Sequence, residues 1–79
     1  MKIIANIRLK HGVLDPQGKA VHHALSSLGF NEVESVRIGK QIVLQVNETD
    51  AKKAKERAKL MCEELLANTV IEDYEIELE

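Results

Sequence analysis

Hydrophobic and polar residues alternate along residues 2–10, with an apolar residue at every second position. The apolar phase consists of Ile3, Ala5, Ile7 and Leu9. A period of two is typical of a β-strand with one buried face, so this stretch is predicted to be the first strand. Ile4 is apolar in the polar phase, and Val43 repeats the exception in a later strand. We therefore expect a second copy of the chain to cover the outer face of the sheet.

A helical period begins after a loop that runs from Lys10 to Gly18. Asp15 is predicted to cap the helix, with Pro16 at the first helical position and Gly29 ending the helix in the left-handed conformation. The loop is either a simple strand-to-helix connection or a functional segment, and its local pattern favours the connection. The helix has one predicted apolar stripe, with residues three and four positions apart, at Val21, Ala24, Leu25 and Leu28.

Two short strands are predicted next, over Glu32–Ile38 and Gln41–Val46. Gly39-Lys40 between them fits the two-residue turn of a β-hairpin, because a glycine in the first position suits a type II′ turn. A final strand is predicted where apolar residues alternate with glutamates, at Tyr74, Ile76 and Leu78.

A second helix is predicted between these strands, capped by Thr49 or Asp50 and ending near Asn68. Lysines crowd its first half, whereas Glu63 and Glu64 lie toward its end, which opposes the helix dipole. Charges placed against local stability suggest that this face meets a partner. The side predicted to face the core carries Ala51, Ala54, Ala58, Met61, Cys62 and Leu65.

The order of elements predicts an α+β fold, a single βαββαβ domain over residues 1–79. Two helices are expected on one face of a four-stranded antiparallel sheet, as in ferredoxin-like domains. A chain of 79 residues with one Phe, one Tyr and no Trp has little aromatic surface to bury. Self-association is therefore expected, because small domains gain little stability from their own cores.

Charge and cysteine usage narrow the class of protein. A net charge of −2 gives no electrostatic footprint for nucleic acid. Cys62 is the only cysteine, which favours a reducing compartment. Polar residues interrupt the N-terminal run too early for a signal peptide, and no apolar run is long enough to span a membrane. We expect a cytoplasmic protein that binds neither nucleic acid nor membranes.

Candidate chemistry is sparse. His22 and His23 are adjacent on a helix and point about 100° apart, so they do not share a face as metal ligands four residues apart would. Cys62 is predicted to be a buried, inert thiol. We expect no catalytic, cofactor-binding or metal-binding residues in this chain.

Lys10, Val13, Arg37 and Lys40 are predicted to contact partner proteins, because the predicted loop and hairpin do not need them. Arg37 and Lys40 are charges of the type found at the rim of an interface. For the neighbouring Leu14 the alternative is a hydrophobic staple under the first helix.

Four segments, in register along nearly the whole chain, resemble the PurS family. They are Leu9–Val21, Ala24–Phe30, Val36–Lys40 and Cys62–Tyr74. Thr69 is a departure, because the family is expected to have proline there, and the change loosens the turn between the second helix and the last strand.

The resemblance implies the small subunit of phosphoribosylformylglycinamidine synthase, a glutamine- and ATP-dependent ligase of purine biosynthesis. It implies a non-catalytic assembly subunit, a homodimer or higher oligomer, that joins a glutaminase subunit to a synthetase subunit and supports ammonia transfer. ATP and Mg²⁺ are then expected in the large subunit and not in this chain, and the isolated chain is expected to have no activity. The alternative is a ferredoxin-like regulatory domain that binds a small molecule.

Overall fold

Strand β1 (Lys2–Leu9) lies at the centre of a three-stranded antiparallel sheet with the order β2-β1-β3. The computed structural model describes residues 1–79. Strand β1 pairs on one side with β2 (Gly39–Gln45) and on the other with β3 (Glu72–Leu78), so that Ile4 faces Val43 across one ladder and Glu77 across the other. The α+β class is therefore confirmed.

Two helices complete the chain. Helix α1 (Pro16–Ser27) follows β1, and helix α2 (Ala51–Met61) follows β2. Helix α2 continues directly into a π-helical segment, Cys62–Leu66, before the turn to β3. Neither helix is both long and apolar enough to cross a membrane.

The predicted hairpin at Gly39-Lys40 is wrong, and the sheet has three strands instead of four. Gly39 and Lys40 lie inside β2, where they pair with Arg8 and Ile7. A Cβ on Gly39 would lie 2.9 Å from the carbonyl oxygen of Ile7, so the glycine permits close strand pairing and does not form a turn. The preceding segment, 32–38, belongs to no strand, because its backbone groups bond to α1 and the loop before it.

The core lies between the sheet and α2. Ile3 packs against Ala54 and Ala58, whose small side chains let the helix backbone approach the sheet. Nearer the other end, a second cluster brings strand residues against the π-helical segment and contains Ala5, Ile7, Cys62 and Ala67. Neither cluster includes a residue of α1, so the prediction that both helices pack on the sheet is wrong for α1.

Helix α1 and the segment that follows it form an arm, defined here as Pro16–Ile38. The helix starts as predicted, with the Asp15 carboxylate accepting from the Gly18 N–H and Pro16 in the first turn. It also ends as predicted: Gly29 has a φ of 98°, and the Phe30 N–H donates to the Leu25 carbonyl at 2.9 Å.

The arm gives the chain an elongated shape. The radius of gyration is 15.9 Å, whereas a compact chain of this length would have about 12 Å. The molecule measures 48 × 25 × 14 Å along its principal axes. One helix of the fold therefore stands away from the body that holds the core.

Candidate interaction site

The structure brings together the four residues predicted to contact partners. The Arg37 guanidinium donates through Nη1 to the Val13 carbonyl oxygen at 2.8 Å and through Nη2 to that of Lys10 at 3.2 Å. Lys40 lies at the start of β2 beside Ile7, and its Nζ lies 3.9 Å from a carboxylate oxygen of Glu72. We call this group the basic end of the molecule: Lys10, Val13, Arg37 and Lys40.

The basic end is fastened to the arm by Asp15. One carboxylate oxygen accepts the Gly18 N–H at 2.8 Å, and the other accepts the Ile38 N–H at 2.8 Å. The bond from Ile38 contributes most to holding the pKa of Asp15 below its usual range, followed by the bond from Gly18, and the Arg37 charge adds to the effect. Asp15 is 5% exposed and is the anchor of this junction.

Gly18 completes the junction, and sequence reasoning missed it. A Cβ at this position would lie 2.3 Å from the Val36 carbonyl oxygen and 2.9 Å from an Asp15 carboxylate oxygen. Glycine in the first turn of a helix is unfavourable unless the backbone must be approached closely. That mismatch with helix propensity is the signal in the sequence that could have identified the contact.

The arm is held along its length by a third contact. The Nε2 atom of His22 lies 2.8 Å from the Val33 carbonyl oxygen, so the ring N–H can donate to it. Three contacts follow one another from the tip of the arm to its base. Val33 contacts His22, Val36 contacts Gly18, and Ile38 contacts Asp15. The segment 31–38 therefore runs back along α1, antiparallel to the helix.

Exposed apolar side chains form a row on the arm. Val21 and Leu28 are spaced by seven residues, which places them on one face of the helix, and Leu14 precedes the N-cap Asp15. Leu14, Val21 and Leu28 are 63%, 40% and 73% exposed, respectively. We call this row the arm stripe; it shows that Leu14 is not a staple buried under α1.

Four more exposed apolar side chains lie toward the end of α2, in the π-helical segment and in the turn to β3. They are Leu60, Leu65, Val70 and Ile71, and Leu65 and Val70 are each 82% exposed. Leu65 was predicted to face the core and does not. A π-helical turn contains more residues than an α-helical one, so the register shifts and Leu66, instead of Leu65, packs against the core.

The outer face of the sheet is largely polar. Ion pairs join Lys2 to Glu79 at 3.0 Å and Arg8 to Glu75 at 3.1 Å across the strands. Ile4 in their midst is only 8% exposed within the single chain, whereas Val43 is 50% exposed. Because its own neighbours cover Ile4, the burial of this residue does not require a second copy.

Cys62 and Tyr74 lie where the π-helical segment packs against β3. Burial raises the pKa of the Cys62 thiol, and the charge of Glu63 raises it further. The Glu63 carboxylate also raises the pKa of the Tyr74 hydroxyl. Both groups are therefore held in their neutral forms at physiological pH, which makes the thiol a poor nucleophile.

Comparison with known proteins identifies relatives over essentially the whole chain. The family model "PurS: Phosphoribosylformylglycinamidine (FGAM) synthase" matches residues 2–79. The phosphoribosylformylglycinamidine synthase subunit PurS of Bacillus subtilis is 53% identical over 78 residues, which cover 99% of this chain and 92% of the relative.

Solved structures of the family share the fold. Methanocaldococcus jannaschii PurS, one of the subunits of formylglycinamide ribonucleotide amidotransferase, matches with a TM-score of 0.90 and 46% identity, covering 99% of this chain and 94% of that one. A chain in the structure of PurLQS from Thermotoga maritima matches with a TM-score of 0.88 and 36% identity, covering 96% and 93%. The chain therefore belongs to the PurS family, the family of phosphoribosylformylglycinamidine synthase subunits in the purine biosynthetic pathway.

Proposed function

We propose that this chain is a non-catalytic assembly subunit that joins the glutaminase subunit of phosphoribosylformylglycinamidine synthase to its ATP-dependent synthetase subunit. The observation that carries the proposal is the apolar surface left open by the fold. Nine large hydrophobic side chains are exposed, from Leu14 just before α1 to Ile71 just before β3. Exposed patches of this kind mark surfaces that other proteins cover, and the Thermotoga maritima relative belongs to a PurLQS structure.

The mechanism of such a subunit is geometric. By holding the glutaminase and synthetase active sites at a fixed separation, it supports the transfer of ammonia between them without escape to water. ATP and Mg²⁺ would be bound by the large synthetase subunit. In this proposal the small chain works with them in the cytoplasm and supplies neither nucleophile nor cofactor.

The basic end is the proposed contact with the larger subunits. Lys40 makes only one long ion pair, with Glu72 at 3.9 Å, so its charge is largely free to meet an acidic partner. Arg37 is exposed, but its guanidinium donates hydrogen bonds to the Lys10 and Val13 carbonyl groups. In this arrangement Arg37 shapes the surface, while Lys10, Lys40 and the side chain of Val13 are available to a partner.

Self-association is the second part of the proposal. The side chains of the arm stripe are more exposed than expected for a helix that packs only within its own chain. A homodimer or a higher oligomer would bury it. The shape of the chain supports this view, because the arm extends away from a body whose core contains no residue of α1.

Co-expression with the glutaminase and synthetase subunits tests the assembly role. We expect the tagged chain to retain both larger subunits through size-exclusion chromatography, and glutamine-dependent activity of the synthetase to require all three. Full glutamine-dependent activity of the two larger subunits without this chain would contradict the proposal.

A further inference from the structure

We propose that a pocket beside Gly39 receives an aspartate or glutamate carboxylate of one of the larger subunits, and that Arg8 and Arg37 bind it. The inference rests on the proposed assembly role and deepens it, because it assigns a chemical group to a contact at the basic end. The pocket has a volume of about 390 Å³ and is lined by residues 6–8 and 37–41. We call it the Gly39 pocket.

The pocket exists because Gly39 has no side chain. Gly39 and Arg8 are register partners in the ladder between β2 and β1, and the side chains of such partners lie on the same face of a sheet. The place opposite Arg8 on that face is therefore empty. The next pair on the same face closes one side of the space, because the Gln41 amide donates to the side-chain oxygen of Asn6 at 2.9 Å. The result is a hollow in the outer face of the sheet, at the point where the arm joins β2.

The lining of the Gly39 pocket carries positive charge and no negative charge. Three of its eight residues are cations, Arg8, Arg37 and Lys40, and none is an acid. At the other end of β1, by contrast, the outer face places Lys2 against Glu79 at 3.0 Å. An anion inside the pocket would contact cations and amides without contacting a carboxylate.

Two of the three cations have ion-pair partners within the chain. Arg8 lies 3.1 Å from Glu75, and Lys40 lies 3.9 Å from Glu72. Arg37 forms no ion pair with any acid of the chain. The residues around the pocket therefore lack one negative charge.

Arg37 is oriented by the chain before an anion binds. Its guanidinium donates to the Val13 and Lys10 carbonyl oxygens at 2.8 and 3.2 Å, which leaves three of its five N–H groups. Carbonyl oxygens have no net charge, so these bonds fix the side chain without neutralising it. The Asp15 carboxylate, whose pKa the Arg37 charge helps to lower, is already bonded through both oxygens to backbone N–H groups. A partner anion would therefore meet a cation that has little conformational freedom left to lose.

A carboxylate suits this pocket better than a phosphate. A guanidinium binds a carboxylate through two parallel hydrogen bonds. One missing negative charge matches a carboxylate, whereas a phosphate monoester carries about −1.5 to −2 charges at pH 7. The Arg8 side chain is 66% exposed, so its pair with Glu75 contributes little and does not prevent a second carboxylate from binding.

The exposure of the pocket favours a carboxylate that belongs to a protein. Arg8, Arg37 and Gly39 are all exposed, and an ion pair in contact with water contributes little to binding. A small free carboxylate would therefore bind weakly. A larger subunit that covers the surrounding surface would exclude water and strengthen the same pair. The pocket also shares Arg37 and Lys40 with the basic end, the proposed contact with the larger subunits.

Two matched variants test the pocket in the complex. Arg8→Gln removes one binding cation and its ion pair with Glu75. Lys2→Gln is the control, because it removes a cation from the same face of the same strand together with its ion pair with Glu79. The affinity of each protein for the glutaminase subunit and for the synthetase subunit is measured by biolayer interferometry, after melting curves have shown that both variants are folded.

We expect Arg8→Gln to bind one of the larger subunits about tenfold or more weakly than wild type, and Lys2→Gln to bind like wild type. Wild-type affinity of Arg8→Gln for both subunits, or an equal loss in the two variants, would overturn the carboxylate site while leaving the assembly role intact. A wild-type chain that binds neither larger subunit would instead refute the proposed function.

Cross-linking tests the same contact without removing an arginine. Gln41→Lys places an amine at the pocket wall, and Gln45→Lys places one on the same face of β2, four residues away. In the complex, a water-soluble carbodiimide joins an amine to a carboxylate in direct contact, forming an amide with loss of water. Mass spectrometry should find an aspartate or glutamate of a larger subunit attached at position 41 and not at position 45. Equal coupling at both positions, or none at either, contradicts the proposal.

A titration of the chain alone with sodium acetate distinguishes a protein carboxylate from a small molecule. The Gly39 amide resonance reports on the pocket. We expect no saturation at millimolar acetate, because exposed ion pairs are weak. Saturation at or below millimolar acetate would assign the pocket to a small carboxylate and overturn its assignment to a larger subunit.

Discussion

The carboxylate of Asp15 accepts the backbone N–H of Ile38 at 2.8 Å, although the two residues are 23 positions apart in the chain. The same carboxylate caps α1 through Gly18. One side chain therefore fixes both the start of the helix and the point where the arm rejoins the sheet. Capping residues ordinarily act within a turn of the chain, whereas Asp15 also ties together two segments that define the shape of the molecule.

The first prediction concerns the pH dependence of stability. Because the pKa of Asp15 is lower in the folded chain than its ordinary value of 3.8, the ionised form favours folding. This contribution is fully present above the unfolded pKa and is lost as the pH falls through the folded pKa. Wild type should therefore lose more melting temperature below about pH 4 than Asp15→Asn does. If the melting temperatures of the two proteins fall by the same amount from neutral to acid pH, the carboxylate charge of Asp15 does not contribute to stability.

The second prediction concerns Gly18. Substitution by alanine places a methyl group 2.3 Å from the Val36 carbonyl oxygen, and backbone cannot move aside as a side chain can. We expect Gly18→Ala to destabilise the chain by about 1–3 kcal/mol in denaturant unfolding, despite the better helix propensity of alanine. Lys19→Ala, at the next and exposed position, is the matched control and should change stability little. A stabilised Gly18→Ala protein would mean that the arm does not pack as described.

The third prediction compares two adjacent leucines in the π-helical segment. Leu66 packs against the core cluster, whereas Leu65 is 82% exposed. Leu66→Ala should cost about 1–3 kcal/mol of unfolding free energy, and Leu65→Ala should cost under about 0.5 kcal/mol. Both are measured by urea unfolding at a concentration where the oligomeric state does not change. If Leu65→Ala cost more stability than Leu66→Ala, the segment would instead have the regular α-helical register that the sequence predicts.

The fourth prediction concerns the basic end. Lys40→Ala should slow association with the larger subunits and weaken its dependence on salt, because charges at a rim act mainly on the rate of encounter. Arg37→Ala should do the same and also lower the melting temperature, since it removes the bonds to the Lys10 and Val13 carbonyl groups. Association is followed by biolayer interferometry at two ionic strengths.

The exposed Lys19 provides the control for that experiment, because it lies on α1 outside the basic end. Lys19→Ala should associate like wild type. If Lys40→Ala also keeps the wild-type rate at both ionic strengths, the larger subunits contact another surface, with α2 as the next candidate.

Local features of the chain were predictable because neighbouring residues determine them. Asp15 and Pro16 start α1, and Gly29 ends it, through hydrogen bonds and backbone angles that span only a few residues. The alternation of apolar and polar residues in β1 and β3 likewise predicted which side chains face α2. The resemblance of four segments to the PurS family indicated the family, which geometry and composition alone did not.

Tertiary contacts decided the rest. Residues 32–38 are predicted from the sequence to form a strand, but a strand exists only where a second strand supplies hydrogen bonds. Here the N–H of Ile38 is bonded to Asp15 and the carbonyl of Val33 to His22. The sequence pattern alone placed Leu65 toward the core, whereas the π-helical segment Cys62–Leu66 shifts the register so that Leu66 packs there.

The position of α1 was decided in the same way. An apolar stripe shows that a helix must bury one face, but it does not show against which surface, because the hydrophobic effect has no direction. Asp15, Gly18 and Arg37 direct this helix away from its own sheet through contacts that join the start of the arm to residues 36–38, about twenty positions along the chain. The sequence by itself therefore determined the elements and the family, while contacts between distant residues determined which of those elements share a core.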